Sequence, residues 1–78
     1  MSKRYVISKN IVSLDYNEKT QELDVEFKGK KVYRYFPVSK ELNEKLDSAA
    51  SIGKTFNEFF IKNPNISHYK LSIANTDE

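Results

Sequence analysis

The sequence predicts an α+β domain: a three-stranded antiparallel meander packed against two helices, with residues 68–73 available as a fourth, edge strand. Three observations predict it. Apolar and polar residues alternate through "NIVSLDYN" and "QELDVEFKGKKVYRYF", the period lengthens to that of a helix after Ser39, and a second apolar stripe of Phe56, Phe59 and Phe60 follows the "SIGK" corner.

In the first strand Val12, Leu14 and Tyr16 share a face, and "NEKTQ" supplies the polar turn that follows. The next strand puts Leu23, Val25 and Phe27 on one face and Asp24 and Glu26 on the other. A three-residue loop, Lys28-Gly29-Lys30, then sets Phe27 opposite Lys31, Val25 opposite Tyr33, Leu23 opposite Tyr35 and Asp24 opposite Arg34. That register joins apolar to apolar and acid to base, which a two-residue loop would not. Pro37 marks the end of the third strand.

Ser39 is placed to cap a helix whose stripe is Leu42, Leu46 and Ala49 or Ala50. The second helix is capped by Ser51 or Thr55; Thr55 and Glu58 have capping-box spacing, and Pro64 lies at the helix's stop. In "ISHYKLSI" alternation returns, with Tyr69, Leu71 and Ile73 on one face, and "ANTDE" is expected to be loose.

With 78 residues the chain has room for one domain and one core. At 38% hydrophobic and 31% charged its composition is that of a folding chain. The absence of cysteine excludes a disulfide scaffold and a cysteine-based zinc site. His68, the single histidine, has no partner at ligand spacing, and no serine or threonine is matched to a base, so neither a metal, a cofactor nor catalysis is expected. No apolar run has the length of a signal peptide or a membrane span, so the expectation is a soluble, cytoplasmic protein with no membrane partner.

The net charge of +2 is too small to argue for nucleic acid by itself. Its distribution says more. Lys3, Arg4 and Lys9 precede the first acid, and "KGKKVYR" gathers Lys28, Lys30, Lys31 and Arg34, so the two segments would form one positive edge if they lie together.

"SAASIGKT" ends like a phosphate-binding loop, but Ser48 stands where the first glycine belongs and a helical pattern, not a strand, leads into it. Gly53 is expected instead to make the corner between the helices, as a left-handed cap of the first or a close-packing position in the second. Lys54 and Asn57 are then either plain solvated residues or contacts for a backbone phosphate near the second helix's N-terminus.

Residues 8 to 62 resemble the KTSC domain, a segment found at the C-terminus of some lysyl-tRNA synthetases and as short free-standing proteins. The resemblance rests on "NIVSLDYN", "LDVEF", "YRY" and above all "AASIGKTFN", whose Ala49, Ser51, Gly53, Lys54, Phe56 and Asn57 fit the family's A-x-S-x-G-[KR]-x-F-N pattern. Asp15, Ser39, Thr55 and Ile61 depart from the family's usual glycine, proline, aromatic and basic residues. The resemblance implies a single domain, with residues 63–78 as a C-terminal extension, and a nucleic-acid-binding role that is itself inferred for the family.

The expected function is therefore a small non-enzymatic module that binds nucleic acid, RNA rather than DNA. Phosphate contacts are expected from Lys54, Lys62 and the hairpin residues Lys28, Lys30, Lys31 and Arg34, with Asn57 as a polar contact. Tyr16 is the aromatic expected to keep its hydroxyl in water, whereas Tyr33, Tyr35, Phe56 and Phe60 read as core. The alternative is a protein-interaction or accessory module of a phage or mobile element, pairing with a partner or a second copy through the edge strand "HYKLSI".

Overall fold

The computed structural model describes residues 2–71. They form strands β1 (Ser2–Tyr5), β2 (Ile11–Asn17), β3 (Glu22–Phe27), β4 (Lys31–Phe36) and β5 (Ser67–Lys70). Helix α1 (Lys40–Asp47) and helix α2 (Ile52–Phe56) lie between β4 and β5, and α2 runs on into a π-helical turn over Asn57–Ile61. All neighbours in the sheet are antiparallel and their order is β1-β2-β3-β4-β5. The α+β class holds, with one strand more than expected.

That strand is β1. Its helix-side position, opposite Leu14, belongs to Arg4 and not to an apolar residue, so the sequence shows no alternation there. Arg4 is held by α1 instead: its Nε donates to Asp47 Oδ1 and its Nη2 to Asn43 Oδ1, each at 2.7 Å. A charged side chain thus ties the outer strand to a helix, a role usually taken by apolar contact.

In β2 a bulge between Ile11 and Ser13 shifts the expected face. Ile11, Leu14 and Tyr16 are the buried apolar residues, Ser13 is buried beside them, and Val12 is only partly buried. The extra residue of a bulge breaks strict alternation, which is why periodicity alone misplaced Val12. The β3–β4 register matches the expected one at every pair. Gly29 at φ 90° and Lys30 at φ 61° make the turn, and glycine adopts the first of these without a Cβ penalty.

The core is one cluster between the sheet and the helices: Ile11, Leu14, Tyr16, Leu23, Val25 and Tyr35 from the strands meet Val38, Leu46, Phe56, Phe60 and Ile66. Ser39 caps α1, accepting from the Leu42 N–H at 3.1 Å. Ser51 caps α2, which starts before Thr55 and so places the Thr55–Glu58 pair inside the helix instead of at its entrance. Gly53 is helical, and a Cβ there would meet only Ser8 Oγ at 3.7 Å, so neither a left-handed corner nor close packing requires it.

In the π-helical turn the Lys62 N–H donates to the Asn57 carbonyl at 3.1 Å, which widens the turn. Phe56 and Phe60 stack at 4.9 Å inside the core, whereas Phe59, expected on the same stripe, is 37% exposed beneath Lys45 Nζ. β5 is the anticipated edge strand, but with the opposite face inward: His68 pairs with Tyr35, and Tyr69 pairs with Arg34 on the side away from the helices. Ile73 and the "ANTDE" tail lie outside the described residues.

Candidate nucleic-acid interface

Two grooves open on the helix side of the sheet. The first, about 780 Å³, runs between the β1–β2 connection and the segment joining α1 to α2; Ser8, Lys9 and Asn10 line one wall, and Ser51, Gly53 and Lys54 the other. The second, about 480 Å³, lies at the base of the β3–β4 hairpin. Phe27, Tyr33, Tyr35 and His68 line it together with Lys28, Lys31 and Asn10.

Asn10 belongs to both grooves, and its carbonyl accepts from the Lys28 N–H at 2.8 Å. That bond fixes the basic hairpin beside the basic β1–β2 connection. The condition for one positive edge, that the two basic segments lie together, is met at the Asn10–Lys28 backbone bond. Among the described residues none of Lys9, Lys28, Lys30, Lys31 and Lys54 is within ion-pair distance of a carboxylate. Lysines without a local counter-charge are the ones that exchange condensed counterions with a polyanion.

The aromatic lining is a connected set. Phe27 meets Tyr33 edge to face at 5.8 Å, and His68 lies against Tyr35 at 5.2 Å with the planes 23° apart. Tyr35 also meets Phe56 at 5.0 Å, so the groove wall is anchored in the core. Burial first, and the neighbouring Tyr33 second, push the Tyr35 hydroxyl up to about 12. It stays a neutral phenol at physiological pH.

Of the expected contacts, Arg34, Tyr16, Lys30, Asn57 and Lys62 line neither groove. Arg34 faces away from the helices and is consumed by Asp24, with Nε to Oδ1 at 2.7 Å and Nη2 to Oδ2 at 3.0 Å, and Glu22 stands 3.8 Å off. Hydrogen bonding to Asp24 raises the guanidinium above its already high range. Tyr16 is 5% exposed and its hydroxyl donates to the Val38 carbonyl within the core. A strand-end position suggested water for that hydroxyl, but the chain entering α1 folds over it. Asn57 and Lys62 are exposed on the π-helical turn and beside it, and line neither groove.

Sequence reasoning did not assign Asn10, Phe27, Tyr33 or His68 to a site. For Tyr33 and Phe27 the signal was apolar alternation, which marks a face without telling its covered end from its open end. His68 would have been found had the β5 register been known.

The opposite sheet face has a different character. Lys3, Asp15, Asp24, Arg34 and Tyr69 form one row across all five strands. Asp15 and Asp24 are direct neighbours in it, and Asp15 Oδ1 is buried with no hydrogen-bond partner. In that row Lys3 and Arg34 flank the two carboxylates, so this face carries charge of both signs and not the unpaired lysines that edge the grooves.

The family model of the KTSC domain matches residues 7–64. The chain belongs to the KTSC domain family. Over 49 residues, 63% of its length, it is 45% identical to a lysine-tRNA ligase of Nostoc punctiforme, of which it covers 9%. Over 53 residues it is 40% identical to an uncharacterized protein of Stutzerimonas stutzeri, covering 68% of this chain and 75% of that one. The crystal structure of a KTSC domain protein from Yersinia pestis superposes with a TM-score of 0.79, covering 90% of this chain and 96% of that one at 23% identity, and so shares the fold. Among the described residues no helix is long and apolar enough to cross a membrane, and no group of three metal-ligating side chains is assembled.

Proposed function

We propose that this KTSC domain is a cytoplasmic, non-enzymatic nucleic-acid-binding module that takes RNA in preference to DNA. The observation that supports it is the junction at Asn10, where two grooves edged by Lys9 and Lys54 on one side and by Lys28 and Lys31 on the other become one path. A strand of phosphates along that path would meet unpaired lysines throughout. The preference for RNA draws on the similarity to a lysine-tRNA ligase, an enzyme that by its name acts on a tRNA.

Fluorescence anisotropy against single-stranded RNA, duplex RNA and duplex DNA at two salt concentrations tests the reading. Binding that weakens steeply with salt, and is lowered by Lys31→Ala with Lys54→Ala in a still-folded protein, is the expected result. No binding at low salt, where nonspecific attraction is greatest, would overturn it.

A second reading has one observation in its favour. β5 is an edge strand among the described residues and all four of its side chains are exposed, so its backbone is a template for strand addition by a protein partner or a second copy. A salt-insensitive association abolished by Leu71→Pro would support this reading in place of the first, because Leu71 donates its N–H to the Val32 carbonyl at 2.8 Å at the end of that strand.

A further inference from the structure

The smaller groove is walled by a cluster of rings where the larger has Tyr5 alone, and free lysines do not account for that. Phe27, Tyr33 and His68 are partly or fully exposed rings gathered from three different strands. Rings placed only for the core would be covered by the helices, as Tyr35 and Phe56 are. Here the covering stops short. His68 is exposed although one ring face rests on Tyr35, and Tyr33 stands between Phe27 and His68, 5.8 Å from one and 6.1 Å from the other.

The surroundings decide what fits against such a wall. A purely apolar side chain would leave Asn10, Lys28 and Lys31 with nothing to contact at the groove's rim. A planar heteroaromatic ring carrying anionic groups on either side satisfies both parts at once. Its π-face stacks on an aromatic ring and its polar edge meets an amide such as that of Asn10. The phosphates before and after it meet Lys28 and Lys31.

We propose that the groove formed by Phe27, Tyr33 and His68 is a stacking site for one unpaired nucleobase of a single-stranded nucleic acid. This rests on the nucleic-acid reading above and adds to it a requirement for an unpaired base. A base held in a duplex keeps both faces covered by its neighbours and cannot enter. The lysine path by itself would bind duplex and single strand alike, so the stacking site is what makes the domain select single strands.

The test compares a 12-nucleotide single-stranded RNA with a duplex containing the same sequence, by anisotropy at one salt concentration. It uses the full chain, Tyr33→Leu, His68→Ala and the charge variant Lys28→Gln with Lys31→Gln. Base stacking on a protein ring is worth about 1–3 kcal/mol, so each ring variant should lose roughly tenfold of single-strand affinity or more, with duplex affinity and salt slope unchanged. The charge variant should lose affinity for both ligands. In the wild-type NMR spectrum, adenosine monophosphate should shift the ring protons of Tyr33 and His68.

Single-strand binding that survives both ring variants would overturn the stacking site and leave the lysine path standing. Absence of binding to either RNA would overturn both. Tyr33 packs against the core and His68 rests on the buried Tyr35, so circular dichroism checks that each variant is folded; loss of single-strand selectivity in folded His68→Ala carries the inference, and its retention in both folded variants sinks it.

Discussion

Arg34 grips Asp24 across the β3–β4 pair with two hydrogen bonds, 2.7 and 3.0 Å long, on the sheet face that no helix covers. The pair is partly shielded, and Arg34 is also the only cation in direct register with an Asp15–Asp24 neighbourhood from the β4 side. Removing it leaves two carboxylates side by side. Arg34→Ala should therefore destabilise the domain by about 1–2 kcal/mol, a drop of roughly 5–10 °C in Tm for a chain this small. RNA affinity of the folded variant should not change. A loss of affinity at unchanged Tm would show that Arg34 belongs to the interface after all.

Asp15 is the converse case. Its Oδ1 is buried without a partner and Asp24 sits directly opposite, so its charge opposes folding locally. Asp15→Asn keeps the shape and removes that repulsion, and Asp15→Thr also suits a strand. Either should raise stability by about 0.5–1 kcal/mol, which differential scanning calorimetry would resolve as an increase of a few degrees in Tm. A decrease would mean that the carboxylate is neutralised by its other neighbour, Lys3.

Tyr16→Phe tests the one polar contact that closes the core over the entry to α1. The hydroxyl donates to the Val38 carbonyl, and both residues are buried, so the variant leaves that carbonyl unsatisfied. The expected loss is about 1–2 kcal/mol. Chemical denaturation with an unchanged m-value would confirm that stability, and not the extent of unfolding, has moved.

What could be read from the residues, and what could not, follows from the range of the interactions. The β3–β4 hairpin was legible in full because its register is fixed by pairs ten or so positions apart and by Gly29, all of which act locally. The Ser39 cap was legible for the same reason. β1 was not, because its helix-side residue is Arg4, which besides the backbone pairing with β2 ties the strand to α1 through Asn43 and Asp47, residues far away in the chain. The β2 bulge and the π-helical turn each insert an irregularity into a regular period, and so Val12 and Phe59 took unexpected positions. The grooves were half legible: lysine clustering marked Lys28 and Lys31 and the Gly-Lys-Thr stretch marked Lys54, but the junction at Asn10 depends on a backbone bond to Lys28 that no pattern announces.

Alkaline pH should unfold the domain earlier than its composition suggests. Burial raises the hydroxyls of both Tyr35 and Tyr16 above the usual tyrosine value of 10.0, Tyr35 to about 12. Well below pH 10 both are protonated whether the chain is folded or not, and the phenol form contributes its full share. For Tyr35, between about 10 and 12 the unfolded chain loses its proton while the folded one retains it, so stability falls as pH rises through this window, and Tyr16 adds in the same direction. For Tyr35 the integrated effect is about 2–3 kcal/mol. Tyr35→Phe keeps the ring that meets Phe56 and should flatten this decline, as followed by circular dichroism at fixed temperature. An equal decline in the variant would assign it to other groups.

The two grooves make separable contributions to any salt dependence. Each lysine that meets a phosphate of a single strand adds about 0.7 to the slope of log affinity against log salt. Lys9→Gln with Lys54→Gln removes the charges of the larger groove, and Lys28→Gln with Lys31→Gln those of the smaller. If one strand runs through both by way of Asn10, each double variant should lower the slope by about 1.4, and the quadruple variant by the sum. The sites act on different phosphates, so their effects should add when the RNA is long enough to span both, and a shorter oligonucleotide confined to one groove should respond to only one pair. A slope that changes with Lys28 and Lys31 but never with Lys9 and Lys54, at any RNA length, would confine the interface to the aromatic groove and leave the larger one without phosphate contacts.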